Sequence, residues 1–222
     1  MAGTGNPLHA VLRRVEAAAA GRPVRVLAVS KTQPAEAVRA LAEAGQRAFG
    51  ENYVQEGLAK IAALAPEALE WHLIGPLQSN KCREVALHFD WLQSLDRVKL
   101  VAPLARHRPA ARVPLNVLIQ VNVDDESSKS GCSPDAVAAL ADAVAAEPML
   151  RLRGLMAIPA PHPDFARRRE AFRRMRGLFD ALRARHPGAD TLSMGMSEDF
   201  ELAIEEGATM VRIGTALFGV RT

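Results

Sequence analysis

Eight short runs of apolar and β-branched residues punctuate the chain, near 24–30 (VRVLAVS), 47–50 (RAFG), 71–75 (WHLIG), 90–94 (DWLQS), 113–123 (VPLNVLIQVNV), 152–158 (LRGLMAI), 190–196 (DTLSMGM) and 209–214 (TMVRIG). Loops with Gly, Pro, Ser or Asn and stretches of helical period separate them, which marks the runs as strands. Helices are predicted over 135–146 and over 165–184, where Phe165, Phe172, Met175, Leu178, Phe179 and Leu182 form one apolar stripe. Strands that alternate with helices run parallel through right-handed crossovers. Eight of them in 222 residues predict an α/β fold, a (β/α)8 barrel of the TIM type, ahead of an open doubly wound sheet. No linker divides the chain, so one domain over 1–222 is expected. After the eighth run only "TALFGVRT" remains, too short for a full helix. The amphipathic start, "MAGTGNPLHAVLRRVEAAAAG", is predicted to be an extra N-terminal helix that helps cover the gap.

Composition narrows the class. With 49% hydrophobic residues the chain can bury a full core, and a net charge of +3 is too small an excess to argue for nucleic acid. Arg13, Arg14 and Glu16 interrupt the apolar stretches of the N-terminus, so neither a signal peptide nor a membrane span is expected there. Cys82 and Cys132 lack metal-ligand or CxxC spacing, and the six histidines show no HxH or HxxxH pair. The expected setting is the cytoplasm, with no metal and no membrane.

Lysine is scarce: five of the 28 basic residues, Lys31, Lys60, Lys81, Lys99 and Lys129. Lys31 stands where the first strand ends, in "VLAVSKTQP". Arginine cannot replace an amine that must lose its proton and attack carbon, so Lys31 is a candidate nucleophile; a solvated rim lysine is the alternative. In a barrel the chemistry sits in the loops after the strands, and phosphates settle after strands seven and eight. "SMGMSEDF" and "VRIGTALFG" fit that place, with Gly195, Ser197, Gly214 and Thr215 offering N–H groups and hydroxyls at helix starts. Read alone, Ser197 is better taken as an ordinary N-cap with Glu198 and Asp199 in the first turn, and it is the two loops together that favour an anion site. Pro34 and Pro134 suit first turns, with Ser133 a predicted N-cap. Arg212 shares the face of Met210 and Gly214, opposite Val211 and Ile213, and a charge facing a barrel interior needs a partner, either a ligand or an acid. An amine, an anion cradle and a cation at one rim match the needs of pyridoxal phosphate.

The chain resembles a known family on these segments: "AVSKTQP", "FGENYVQE", "WHLIGPLQSNK", "VNVDDESSKSGC", "RGLMAIP", "LSMGMSEDFELAI" and "VRIGTALFG", in order from about residue 24 to 219. They are similar to the pyridoxal phosphate homeostasis proteins, relatives of the alanine racemase N-terminal barrel. The resemblance implies that pyridoxal 5'-phosphate forms an internal aldimine with Lys31. It implies too that Asn52 lies beside the ring, that Ser197, Gly214 and Thr215 hold the phosphate and that Arg212 faces the pyridine nitrogen. A cation there disfavours ring protonation and weakens the electron sink.

Alanine racemases share that feature but use a tyrosine from an additional β-domain as second base. The sequence stops soon after the last run, and its only tyrosine, Tyr53, stands at a predicted helix start where packing accounts for it. The expected function is therefore carriage or regulation of the cofactor without turnover, with PLP-dependent apo-enzymes as recipients. A low-activity amino-acid racemase and a Schiff-base aldolase acting through Lys31 are the competing readings.

His72 is expected to be a core or rim histidine. Lys81 and Lys129 are loop lysines that could form a secondary site for phosphorylated ligand. The row Arg167, Arg168, Arg169, Arg173, Arg174 and Arg176 reads as a solvated face, and a monomer is expected.

Overall fold

A computed structural model describes residues 6–124, 130–160 and 163–219. All eight predicted runs are strands: β1 (Arg25–Val29), β2 (Ala48–Glu51), β3 (Glu70–Leu73), β4 (Trp91–Leu95), β5 (Leu115–Gln120), β6 (Leu150–Met156), β7 (Thr191–Ser193) and β8 (Met210–Ile213). Each pairs in parallel with its neighbours in sequence, and β8 returns to β1 to close the barrel. Closure removes both sheet edges. Five strands are shorter than their runs, the fifth and seventh most of all. The fifth stops at Gln120, beyond which Val121 makes only an isolated bridge to Cys132, and the seventh stops before Gly195, whose φ of 92° turns the chain toward the rim.

The helices are α1 (Pro7–Ala19), α2 (Ala35–Glu43), α3 (Val54–Ala63), α4 (Cys82–His88), α5 (Val101–His107), α6 (Val137–Ala145), α7 (Phe165–Arg185), α8 (Phe200–Glu205) and α9 (Thr215–Phe218). Outward strand residues such as Val211 and Ile213 join the helices in the main apolar core. Inward ones such as Leu27, Ala48, Ile74 and Met210 form a smaller cluster inside the barrel. In α1, Asn6 accepts the N–H of Leu8, Pro7 occupies the first turn, and Leu8, Val11, Val15 and Ala19 are buried. This helix packs on α8 and on the four-residue α9, so it covers the gap left by the short eighth helix.

Three local expectations need correction. Phe165 is 65% exposed, because the first turn of α7 lies beside the cavity mouth lined by Pro163 and Arg168, and the stripe meets the core only from Phe172 onward. Ser197 is not an N-cap, since α8 begins at Phe200 with Asp199 at the cap position. Ser133 does occupy a cap position, before a 3-10 turn at Pro134–Ala136, but its side chain makes no cap bond. Along α7 the arginines pair with acids: Arg169 and Arg173 with Glu206, Arg174 with Asp124 and Arg176 with Asp180. Such exposed pairs contribute little to stability. Among the described residues no helix is long and apolar enough to cross a membrane.

Candidate functional site

The loops that follow the strands surround one cavity of about 860 Å³, within the size range of small-molecule sites. Lys31, Asn52, Ser197, Arg212, Gly214 and Thr215 all line it. They come from four separate loops or strand ends, and barrel closure alone brings them together. Gln33, Gln120, Ser130 and Met196, which sequence reasoning did not single out, contribute to the same wall, as does Arg168, which was expected on a solvated face.

Lys31 follows β1 in a turn whose next residue, Thr32, has φ 64°, a left-handed conformation that a β-branched residue adopts only when its surroundings impose it. Among the described residues no hydrogen bond or ion pair holds the Lys31 amine, which is half-buried in the cavity wall. Asn52 follows β2 and is fixed through its backbone. A Cβ on Gly75 would lie 2.0 Å from the Asn52 carbonyl oxygen, so the loops after β2 and β3 touch main chain to main chain and only glycine fits at 75.

Arg212 is 3% exposed on the inner face of β8, as the alternation in its run requires. Among the described residues no acid forms an ion pair with it, and Asp199 acts on it only at longer range. Its guanidinium donates to the Ser193 carbonyl at 2.9 Å, to the Ser193 hydroxyl at 2.8 Å and to the Ala157 carbonyl at 2.7 Å. Burial pushes its pKa down to about 10, which leaves it charged at neutral pH. Ser193 is held in turn, its hydroxyl donating to Gln93 Oε1 at 2.8 Å, while Gln93 Nε2 lies 2.9 Å from His72 Nδ1. Nothing in the sequence flagged Ser193 or Gln93, which lie 100 positions apart.

Between the last two loops the Ser197 hydroxyl accepts the Gly214 N–H at 3.4 Å. The expected helix-dipole contribution is weak, because α8 and α9 have six and four residues. What remains is a set of local donors: the Ser197 hydroxyl and the first N–H groups of α9, which have no partner within a helix. A hydroxyl, main-chain N–H groups and a nearby guanidinium can receive an anion, and an unencumbered amine can condense with an aldehyde.

Other candidates fall outside this cavity. Tyr53 is 65% exposed, which overturns its expected packing role, and it does not line the wall. Lys81 pairs with Glu84 at 3.4 Å away from the cavity, and Lys129 lies outside the described residues. His72 is sealed in the barrel interior, stacked on Trp91 with ring centroids 5.0 Å apart. Cys82 and Cys132 are free and buried; burial raises both thiols, Cys132 to about 11. Among the described residues no His, Cys, Asp or Glu cluster suits a metal ion.

Comparison with known proteins gives a consistent neighbourhood. The family model described as alanine racemase, N-terminal domain, matches residues 7–222. The chain is 58% identical over 211 residues to the pyridoxal phosphate homeostasis protein of Pseudomonas aeruginosa, covering 94% of this chain and 90% of that one. It is 56% identical over 201 residues to the protein of the same name from Escherichia coli K12, covering 89% and 86%. Among solved structures, PipY of Synechococcus elongatus PCC7942, with PLP bound, superposes with a TM-score of 0.82 at 37% identity, covering 94% of this chain and all of that one (100%).

Proposed function

The chain belongs to the alanine racemase N-terminal domain family, and from that membership we propose that it binds pyridoxal 5'-phosphate covalently at Lys31 and carries or regulates the cofactor inside the cell without turnover of its own. One observation carries this reading: a single cavity lined by a free amine, a buried guanidinium and an anion-receiving pair of loops. The cofactor supplies an aldehyde carbon that condenses with a primary amine as water leaves, and an electron-withdrawing ring. Lys31 provides the amine. Ser197, Gly214 and Thr215 receive the phosphate oxygens through a hydroxyl and main-chain N–H groups, Asn52 borders the ring, and Arg212 presents a fixed positive charge that opposes protonation of the ring nitrogen. PLP-dependent apo-enzymes as recipients, a cytoplasmic setting and a monomeric state complete the proposal.

Racemisation through two bases needs a second proton-handling group across the ring from Lys31. Tyr53, the only tyrosine, is 65% exposed and does not line the cavity, so it is not placed to serve. Titration tests both points. Adding the phosphorylated aldehyde should give a saturable visible absorption band, and pyridoxal without the phosphate should bind at least about tenfold more weakly, the loss of one or two charged hydrogen bonds. The loaded protein should leave the optical rotation of L-alanine unchanged. Absence of the band overturns the cofactor assignment, and decay of the rotation favours the racemase.

A further inference from the structure

The backbone on both sides of Lys31 is tied to one buried ammonium. Lys60 lies on α3 with 7% of its side chain exposed, and its Nζ donates to three oxygens: the Ser30 carbonyl at 2.6 Å, Glu51 Oε1 at 2.8 Å and Glu56 Oε1 at 2.7 Å. The same carboxylates hold the loop a second time. The Ser30 hydroxyl donates to Glu51 Oε1 and the Thr32 N–H donates to Glu56 Oε1, each at 2.5 Å. Residues 30 and 32 are therefore both anchored, with only Lys31 between them, in the turn where Thr32 is left-handed.

This cluster is costly to build. Glu51 is fully buried, and a buried carboxylate is tolerated only when paired and hydrogen-bonded. Burial pushes the Glu51 pKa up against the opposing pull of Lys60 and Ser30, and its second oxygen, Oε2, has no partner among the described residues. An arrangement that serves packing alone would be met more cheaply by apolar side chains of similar volume. The bonds to Ser30 and Thr32 show what the charges hold: the short arc of main chain that aims residue 31 into the cavity.

With three acceptors around its Nζ, Lys60 has every N–H engaged in a hydrogen bond, so it is not poised as a nucleophile. Lys31 has no such partners.

We propose that Lys60, Glu51 and Glu56 form a clasp that positions Lys31, fixing the main chain at Ser30 and Thr32 so that the Lys31 amine is presented to the cofactor aldehyde. They are positioning residues, acting through the turn without touching the ligand. The proposal rests on the reading above that Lys31 bonds the cofactor. Holding a reacting group in place converts lost chain freedom into affinity, and a turn released to sample other conformations gives that affinity up.

Glu56→Ala is the test variant of choice, because 26% of the Glu56 side chain is exposed and its loss leaves the core intact, whereas Lys60→Met strands two carboxylates and risks unfolding. Three readouts are taken: the dissociation constant for pyridoxal 5'-phosphate, the visible circular dichroism of the bound chromophore, which reports its orientation, and amide hydrogen exchange at Thr32 in the cofactor-free protein. Glu56→Ala should weaken binding by about tenfold or more, lower the visible ellipticity per bound chromophore and accelerate Thr32 exchange, with the thermal midpoint nearly unchanged. Glu56→Gln keeps an acceptor for the Thr32 N–H and should recover most of the loss. Native affinity and ellipticity in Glu56→Ala overturn the positioning role, and unchanged Thr32 exchange overturns the clasp itself. A native protein that binds no cofactor while Thr32 exchange still responds to Glu56→Ala overturns the functional reading alone.

Discussion

Arg212 shows at the scale of one residue how a buried charge is held by neutral hydrogen-bond partners. A guanidinium inside a barrel loses its water, and here it recovers three hydrogen bonds from neutral groups, with no carboxylate bonded to it among the described residues. In the proposed function that charge serves the cofactor that enters the cavity. Arg212→Met should therefore change the stability of the cofactor-free protein by less than about 1 kcal/mol, or raise it, since an apolar chain of similar length removes a desolvated charge. The same change should weaken cofactor binding by about tenfold or more, through loss of a charged hydrogen bond at the ring. Urea unfolding and absorption titration of the one variant check both halves; a large destabilisation with unaltered binding would make Arg212 structural. Alternation along "MVRI" was enough to place this arginine inward. Its partners were not legible, because Ser193 and Ala157 come from other strands and loops, and only barrel closure makes them neighbours.

At the scale of elements, the same gap between local and long-range information recurs. Apolar runs and turn residues located every strand, since burial on both faces of a parallel sheet leaves a dense apolar signature. Strand ends were less legible, because where pairing stops depends on the neighbouring strand's length and on turns such as that at Gly195. The clasp around Lys31 was invisible for a similar reason: Lys60 follows Glu51 by nine positions and meets Ser30 only when α3 folds back on the first loop. The N-terminal helix was legible in role as well as in form. It closes the barrel's outer layer over α8 and α9, so its apolar face should matter more than that of an ornamental extension. Leu8 is 1% exposed, and Leu8→Ala should cost about 3 kcal/mol in urea unfolding. A cost below about 0.5 kcal/mol, the range of ordinary surface changes, would mean that α1 is a detachable appendage.

Across the whole molecule the barrel interior is a polar string as much as an apolar plug. From Arg212 it runs through Ser193, Gln93 and His72 to Glu70, 2.7 Å from His72 Nε2, and on to Arg25, 2.5 Å from Glu70. Burial pulls the His72 pKa below the ordinary imidazole range, so the ring is neutral, accepting from Gln93 at Nδ1 and donating to Glu70 at Nε2. Burial works against the charge on Glu70, but its bonds to His72 and Arg25 outweigh it and bring its pKa to about 2. Both shifts have the same sign for stability, since the unfolded chain binds more protons than the folded one. The His72 contribution is complete above its unfolded value of about 6.5 and is lost as pH falls below it; that of Glu70 is lost between its unfolded value of about 4.3 and about 2. Urea midpoints should decline from pH 7.5 to pH 5, about the span in which the unfolded imidazole charges, and His72→Gln should flatten that decline. A midpoint independent of pH over that range would mean that the imidazole is not sealed. At the Arg212 end of the string the Lys31 amine lines the cavity with no hydrogen bond or ion pair among the described residues, and the proposed function stands on its reacting there with a phosphorylated aldehyde. Borohydride reduction of the protein after incubation with pyridoxal 5'-phosphate, followed by peptide mass analysis, tests it most directly. A single stoichiometric adduct on Lys31 is the predicted result, whereas a protein that traps nothing, or that traps the cofactor on Lys60 or Lys81 instead, would contradict it.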